Sequence, residues 1–423
     1  MFDEATASTC YQLVPQDIAN VPKDWDSLHC LLEKNCQRIY HNQNTDMSFP
    51  ILQQCLQNIS SVHVYDELIP FLWESAFRPL PISTILSPSN PVITLTKTQC
   101  LSILAKAFFC MFHRDSHYWD VFPSINFDRL YWRTRGFDGK EKTKLQMILD
   151  YFCIMYQRSK KHPEFFVDEE IQFVFSEAEF TWKDWSQDQS VLSPLTMKEL
   201  RLSLDDAKDC YRMDFANAYL GGASLSYGSV QEEIMFSICP EMNVGRLFCP
   251  RMKEHQAIGI FGTEQFTHPQ GYGSSLQYGE RYTDTTVVLG NKRQSFVCAI
   301  DALDFRRGGL GFQYTSKGIL RELNKCYAAM SVSNTPSSVA TGNWGCGVFG
   351  GDVALKILIQ WMAASRAGKS VVYYPFDDQH LYDQWKEVQQ RMQGKEIRVS
   401  DLILFFEAME PRHILKQFLA FFL

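Results

Sequence analysis

Asp352-Val353-Ala354-Leu355-Lys356-Ile357-Leu358-Ile359-Gln360-Trp361-Met362-Ala363-Ala364, followed after Gly368 by Val371-Val372-Tyr373-Tyr374, is the stretch that decides the fold. Leu355, Ile357, Leu358, Trp361 and Met362 give the first part the apolar pattern of a buried helix. The second part is β-branched and aromatic, as strands are. A helix that stops at a glycine and feeds a strand implies an α/β layer with a largely buried sheet.

Immediately upstream lies a glycine cluster, Thr341-Gly342-Asn343-Trp344-Gly345-Cys346-Gly347-Val348-Phe349-Gly350-Gly351. Glycines let backbone N–H groups approach a ligand, and a helix N-terminus adds partial positive charge, so the cluster reads as a phosphate or diphosphate site. Gly345-x-Gly347-x-x-Gly350 also fits a dinucleotide fingerprint, with Asp377 near the place of a ribose-binding acid. That fingerprint should follow an apolar strand directly. Asn334 to Ser338 and Thr341 to Trp344 are polar and turn-like, which leaves little room for a strand.

Farther upstream, Glu170 to Phe175, Arg212 to Phe215, Ala257 to Phe261 and Phe296 to Ile300 read as strands between polar or glycine-rich turns. The N-terminal part is helical in pattern. Thr96-x-x-Gln99 has the form of a capping box ahead of Leu101, Leu104, Ala105, Phe108 and Phe109, and a second apolar stripe runs from Leu145 through Ile148, Leu149, Phe152 and Met155 to Tyr156. The texture changes at Lys160-Lys161-His162-Pro163. A boundary near residue 162 therefore divides a helical region, 1–162, from an α/β region, 163–423.

A chain of 423 residues can bury a large core. Its net charge of −7 disfavours a surface that wraps nucleic acid, so no direct DNA binding is expected. The basic clusters Lys140 to Lys144 and Arg158 to Lys161 read as solvated helix ends. Thirteen cysteines without a Cys-x-x-Cys pair indicate reduced thiols in a cytoplasmic or nuclear protein. The acidic opening Met1-Phe2-Asp3-Glu4 predicts no secretory leader, and no apolar run approaches the roughly 20 residues of a membrane span. His113 and His117, four apart at an apparent helix end, do not make a metal set, so neither a metal nor a cofactor is expected. Cys346 has no evident histidine partner in sequence. A monomer is the default.

Acid chemistry is concentrated elsewhere. Gly221-Gly222-Ala223-Ser224-Leu225-Ser226-Tyr227-Gly228-Ser229-Val230-Gln231 runs into Glu232-Glu233-Ile234-Met235-Phe236. On a helix adjacent carboxylates diverge by about 100°, and on a strand they face opposite ways, so the two glutamates need not share a task. A carboxyl among apolar residues suits a general acid, although the pair also reads as a surface helix start. Asp214-Phe215-Ala216-Asn217 places an acid and an amide just before the glycine pair. Tyr272, between two glycines, and Phe376, past the Val371 to Tyr374 strand, can stack on a base or simply pack.

Together these residues resemble the poly(ADP-ribose) glycohydrolases, whose signature is a glycine triplet, a short loop and Gln-Glu-Glu. The resemblance runs through Met213 to Asn217, Gly221-Gly222-Ala223, Gln231-Glu232-Glu233, Gly262 to Gln265, Ala299 to Leu303, Arg321 to Lys325 and Thr341 to Asp352. It implies a macrodomain, an α/β fold with a mixed, mostly parallel sheet flanked by helices, joined to an N-terminal all-helical accessory domain. The implied reaction is hydrolysis of the ribose–ribose O-glycosidic bonds of poly(ADP-ribose), mainly from chain ends. By resemblance Glu233 is the general acid and base, Glu232 and Asn217 hold ribose hydroxyls, and Asp214 orients the acidic loop. Gln231 contacts substrate, while Gly221, Gly222 and the backbone of Asn343, Trp344, Gly345, Cys346, Gly347 and Val348 cradle the diphosphate. Tyr272 and Phe376 cover adenine, Phe349 lies by the distal ribose, and Leu204 and Asp205 touch the base edge. The implied partners are poly(ADP-ribose), ADP-ribose and poly(ADP-ribosyl)ated proteins, which places the protein in polymer degradation, carbohydrate metabolism and the DNA damage response. A non-catalytic ADP-ribose reader and an NAD-dependent oxidoreductase are the alternatives. Ala223 departs from the triplet, and its methyl fits only if φ is negative.

Overall fold

Thr96 accepts the Gln99 amide at 3.2 Å, and the Gln99 side chain accepts the Thr96 amide at 2.8 Å. This reciprocal cap starts the helix Lys97–Phe108 in the frame its sequence implies. The computed structural model of the chain describes residues 11–13, 20–40, 47–79, 84–114, 120–132, 140–161 and 169–422. The expected boundary near residue 162 lies outside them, as does His117.

The described residues form two compact units. The first draws on Met1–Val174, Asn217–Arg251 and Ile260–Gln294, the second on Phe175–Ala216, Met252–Gly259 and Ser295–Leu423.

In the first unit the helices Trp25–Tyr40, Pro50–Gln57, Ile69–Ala76, Lys97–Phe108 and Glu141–Lys161 dominate. Leu101, Leu104 and Phe108 of one helix and Ile148, Leu149 and Phe152 of another are all buried. Phe108 stands edge-on to Phe152 with ring centroids 5.9 Å apart. Each such ring or aliphatic chain contributes about 1.5–3 kcal/mol on burial. Strands are present here too: Val92–Thr96 pairs antiparallel with the start of Glu170–Glu177, Thr96 opposite Glu170. His113 sits in the strand Phe112–Arg114 rather than at a helix end.

The basic clusters are solvated helix ends only in part: Lys160 and Lys161 are exposed on the last turn of their helix, whereas Lys144 and Arg158 have partners within the first unit. Lys97 pairs with Glu264 and, at 3.1 Å, with Glu169; Arg158 reaches Glu264 at 2.6 Å. Glu241 accepts the Glu264 amide at 3.0 Å. The run after Gly262 is accordingly interior, with Thr263, Glu264 and Phe266 buried. Lys144 is wholly buried as well.

In the second unit the strands Phe296–Asp301, Tyr211–Ala216, Ser338–Gly342, Ser370–Tyr374 and Leu195–Met197 follow one another in that spatial order, every pair parallel. Tyr11–Leu13 with Phe112–Arg114, Thr267–Gln270 with Gln277–Arg281 and Val288–Leu289 with Lys292–Arg293 are antiparallel too, so strand pairing among the described residues is mixed, with the parallel pairs in the second unit. Met213, Ile300, Val339, Ala340 and Val371 are buried, as parallel strands covered on both faces require. The helices Ser316–Met330 and Val353–Arg366 supply the apolar cover through Ile319, Leu323, Leu355, Leu358 and Met362. Ser338–Gly342 corrects the sequence reading, which left little strand before the glycine cluster. Its polar residues are satisfied by a neighbour in space: Thr341 donates to Gln360, whose amide donates to Gly342 O at 3.2 Å.

Candidate active site

The acid pair lies in the first unit, on the first turn of the helix Gln231–Ile238. It is a helix start, as the plainer reading had it, but a buried one: Glu232 is 2% and Glu233 7% exposed. The two carboxylates divide the loop's amides between them. Glu232 accepts from Gly221 N at 2.6 Å and Asn217 N at 2.8 Å, and Glu233 accepts from Val230 N at 2.9 Å and Ala223 N at 3.2 Å.

Both carboxylates converge on Gly222. A Cβ there would stand 2.6 Å from Glu232 Oε2 and 2.8 Å from Glu233 Oε1, and the residue has φ +44°. Only glycine combines that backbone with that approach. Ala223 is outside the left-handed region, so its methyl is accommodated where a third glycine is the pattern.

The carbonyl side of the loop faces cations. Lys144 Nζ donates to Ala223 O at 3.0 Å, Ser224 O at 2.8 Å and Ser226 O at 2.6 Å. Arg246 donates to Leu220 O at 3.0 Å and Gly222 O at 3.2 Å, and its Nε holds Ser124 O at 2.7 Å. Burial pushes the Lys144 ammonium down to about 7, against the pull of Glu233 and Glu141. Amides are thus held by anions and carbonyls by cations, and the loop's path is over-determined.

Tyr272 docks on the same turn. Its phenol oxygen accepts the Gln231 amide at 3.1 Å, and Gly273 N donates to Ser229 O at 3.0 Å. The residue remains 37% exposed, as a stacking platform needs. Asn217 Oδ1 accepts Tyr219 N at 3.0 Å and so shapes the entry to the loop.

The second unit carries the glycine turn between Ser338–Gly342 and Val353–Arg366. Gly345 and Gly350 have φ +73° and +71°, and Gly351 N donates to Gly345 O at 3.0 Å, closing it. Trp344 is fully buried, its indole N–H on Ile300 O at 3.0 Å and the Lys356 ammonium 3.8 Å over its ring. What it offers a ligand is backbone. Asn343 is fixed by the Tyr373 hydroxyl at 2.8 Å, and Gly347 O takes Arg306 at 2.8 Å. Val348 is exposed and Phe349 half-buried. Burial drives the Cys346 thiol far up, which makes it a poor nucleophile. Asp352 caps the following helix by accepting Leu355 N at 2.9 Å, so one amide of that helix end is already taken by a carboxylate.

An ion network braces this turn. Asp301 binds Arg321 at 2.7 Å and Lys325 at 2.5 Å, Arg321 reaches Glu322 at 2.7 Å, and Glu322 pairs with the Lys356 that caps Trp344. Arg321-Glu322 and Lys325 therefore act in the fold beneath the turn.

Residues 182–383 match the family described as poly(ADP-ribose) glycohydrolase (PARG), macro domain fold, and residues 56–170 match its helical domain. Probable poly(ADP-ribose) glycohydrolase 2 of Arabidopsis thaliana is 31% identical over 376 residues, which cover 75% of this chain and 69% of that protein. The chain belongs to the poly(ADP-ribose) glycohydrolase family. It is a hydrolase by that membership, and the mixed macrodomain fold with a helical N-terminal region is the family's own. Poly(ADP-ribose) glycohydrolase 1 of Caenorhabditis elegans is 30% identical over 327 residues, covering 73% of this chain and 39% of that one. The chain therefore spans well under half of the nematode relative's length. A crystal structure of the glycohydrolase from Thermomonospora curvata is 15% identical with a TM-score of 0.33, covering 49% of this chain and 81% of that one.

The remaining expected positions of this glycohydrolase-family chain are spread through the second unit. Asp214 is fully buried in Tyr211–Ala216. Leu204 is part of a core cluster with Ala207, Ala340 and Tyr374, and Asp205 gives its carbonyl to Arg212 at 3.1 Å. Phe376 is 61% exposed at φ +53°, followed by Asp377 at +58°. Two successive non-glycine residues in the left-handed region are costly, and such strain gathers at functional sites. Sequence reasoning missed Lys144 and Arg246; the only signal was a lysine repeating on the buried stripe of its helix. Among the described residues no group of three or more His, Cys, Asp or Glu side chains can hold a metal ion, and no helix is long and apolar enough to cross a membrane.

Proposed function

We propose that this glycohydrolase cleaves the ribose–ribose O-glycosidic bond of poly(ADP-ribose) with Glu233 as general acid and then base. The observation that carries the assignment is the convergence of Glu232 and Glu233 on Gly222, where no side chain fits. Glu233, protonated, donates to the leaving ribose oxygen. As a carboxylate it then takes a proton from the water that attacks the oxocarbenium-like centre.

Glu232 is the more tightly held partner, its oxygens on loop amides at 2.6 and 2.8 Å against 2.9 and 3.2 Å at Glu233. With Asn217 it is assigned to the ribose hydroxyls, with Gln231 to substrate contact, and Asp214 to orientation of the loop. Gly221 and Gly222 are assigned to the diphosphate, as are the Asn343 to Val348 backbone amides of the second unit. Tyr272 and Phe376 are assigned to adenine, Phe349 to the distal ribose, and Leu204 and Asp205 to the base edge. Leu204's place in the core restricts it to shaping that edge.

Cleavage mainly from chain ends follows from the net charge of −7, which repels a long polyanion while local backbone dipoles hold one or two units. A product profile dominated by long oligomers contradicts this mode. We assign residues 1–162 as accessory and 163–423 as catalytic, the protein as a monomer acting on poly(ADP-ribosyl)ated proteins, and its place as cytoplasm or nucleus.

The deciding experiment is ADP-ribose release from poly(ADP-ribose) by the parent and by Glu233→Gln. Loss of release with ADP-ribose binding retained supports the acid role. Equal release by both removes Glu233 from it.

A further inference from the structure

We propose that Lys144, on the helix Glu141–Lys161, is a positioning residue for the reaction: its ammonium fixes the backbone path of Ala223 to Ser226 and through it the seat of Glu233. The inference rests on the assignment of Glu233 as the acid.

The geometry is specific. An ammonium has three N–H donors and no acceptor, and three carbonyls, those of Ala223, Ser224 and Ser226, lie within 3.0 Å of Nζ. The side chain is fully buried, so water cannot substitute for any of the three. A lysine is rarely placed so unless a structure depends on it, because burial of the charge must be offset by bonds of this quality. The clamped segment is the one that matters for Glu233. Ala223 gives its carbonyl to Lys144 and its amide to Glu233, so a shift of that one peptide moves the carboxylate's hydrogen-bond frame. Gly228 closes the same loop by donating to Ala223 O at 3.1 Å, and a Cβ on it would strike Glu233 at 2.6 Å. There is no slack.

The hydrogen bonds of Lys144 all go to loop carbonyls, so its hold on the Glu233 seat runs through the loop, beside the attraction of the two charges. The charged groups facing it are Glu233, Glu141 and Arg246. Glu233 and Glu141 favour the ammonium, while Arg246 and burial oppose it. On losing its proton the amine keeps two donors for three carbonyls and turns a lone pair toward the third. Loop order and turnover then weaken as pH rises through about 7.

The test compares Lys144→Met, Lys144→Arg and the parent on poly(ADP-ribose). Lys144→Met keeps the apolar stem and removes every donor. Its kcat is expected to fall by about 10- to 100-fold, the scale set by misplacement of a catalytic group by around an ångström, with KM within about threefold. ADP-ribose binding persists, Lys144→Arg recovers part of the loss, and the alkaline limb of the kcat profile near pH 7 disappears in the methionine variant. A merely structural lysine moves stability without moving that limb. Parental kcat and an unchanged pH profile in a folded Lys144→Met overturn the proposal. Should that variant not fold, amide hydrogen exchange on the parent decides, corrected for intrinsic chemical rates. Opening of the 223–228 amides that grows above pH 7 supports the clamp, and opening that is independent of pH overturns it. Glu233→Gln separates the two readings. If it is inactive while Lys144→Met is parental, the clamp alone falls; if it is active while Lys144→Met is impaired, the acid assignment falls and control of turnover through the loop stands.

Discussion

Tyr272 accepts the backbone amide of Gln231, and Gln231 is the first residue of the helix whose next two positions are Glu232 and Glu233. An aromatic platform and an acid pair thus share one helical turn, and the ring is oriented by the donor that the helix end leaves over. Tyr272→Phe keeps the ring and loses that bond, worth about 0.5–1.5 kcal/mol. Tyr272→Ala loses base stacking as well, about 1–3 kcal/mol. Calorimetric titration with ADP-ribose should rank the two variants in that order, and identical affinities for all three proteins would remove Tyr272 from the base.

Gly222→Ala is expected to abolish activity, a loss of at least about 100-fold in kcat, because its Cβ collides with both carboxylates at positive φ. The neighbouring Ala223→Gly is expected to leave kcat near parental and to lower stability by about 0.4–1 kcal/mol through the unfolded chain. Steady-state rates and urea unfolding on the two variants check the contrast.

Lys356→Met leaves Glu322 buried without the cation above Trp344. Breaking one partner of a buried pair costs up to about 3–5 kcal/mol, and Arg321 at 2.7 Å from Glu322 offsets part of that, so the urea midpoint should drop by less than a full unpaired charge would cause. ADP-ribose affinity should drop with it in whatever folded protein remains, since Trp344 belongs to the glycine turn. Parental stability would mean that the network contributes nothing.

The Lys97 cluster predicts a pH signature. Burial raises the Glu241 carboxyl to about 7, against the opposing pull of Lys97. Its folded value thus lies above the ordinary 4.5, and the native state binds the extra proton between the two. Glu241 therefore contributes stability below pH 4.5 that is lost as pH rises to about 7, with a slope of at most about 1.4 kcal/mol per unit. Glu241→Gln should flatten that slope in unfolding measured from pH 4.5 to 7; an unchanged slope assigns it to another group.

Local signals carried much of this fold. Thr96 and Gln99 announce their helix because the capping box is written in adjacent residues, and Val371 to Tyr374 announce a strand because periodicity is local too. Asn217, Gly222, Glu232 and Glu233 were readable as a group since one loop holds them. Ser338–Gly342 was hidden because Thr341 and Gly342 are satisfied by Gln360, nearly twenty residues on. Lys144 and Arg158 were read as solvated because charge normally seeks water, and their partners lie about eighty and a hundred residues away in sequence. Leu204, placed at the base edge by resemblance, packs against Ala340 and Tyr374, a neighbourhood that its local sequence does not announce.

The loop from Asn217 to Val230 is gripped by its peptide groups and also by the Ser224 hydroxyl, which meets Asn243 at 3.0 Å and Arg246 at 3.3 Å. Such a loop takes a methyl at Ala223 but not at Gly221, Gly222 or Gly228, and it does not tolerate drift in length. One inserted or deleted residue would move the peptide groups out of register with Glu232 and Glu233 on one side and Lys144 and Arg246 on the other. Insertions between Gly221 and Gln231 should therefore be far more damaging than substitutions at the exposed Tyr227, and the segment behaves as a ruler whose spacing is set by the charges on either side.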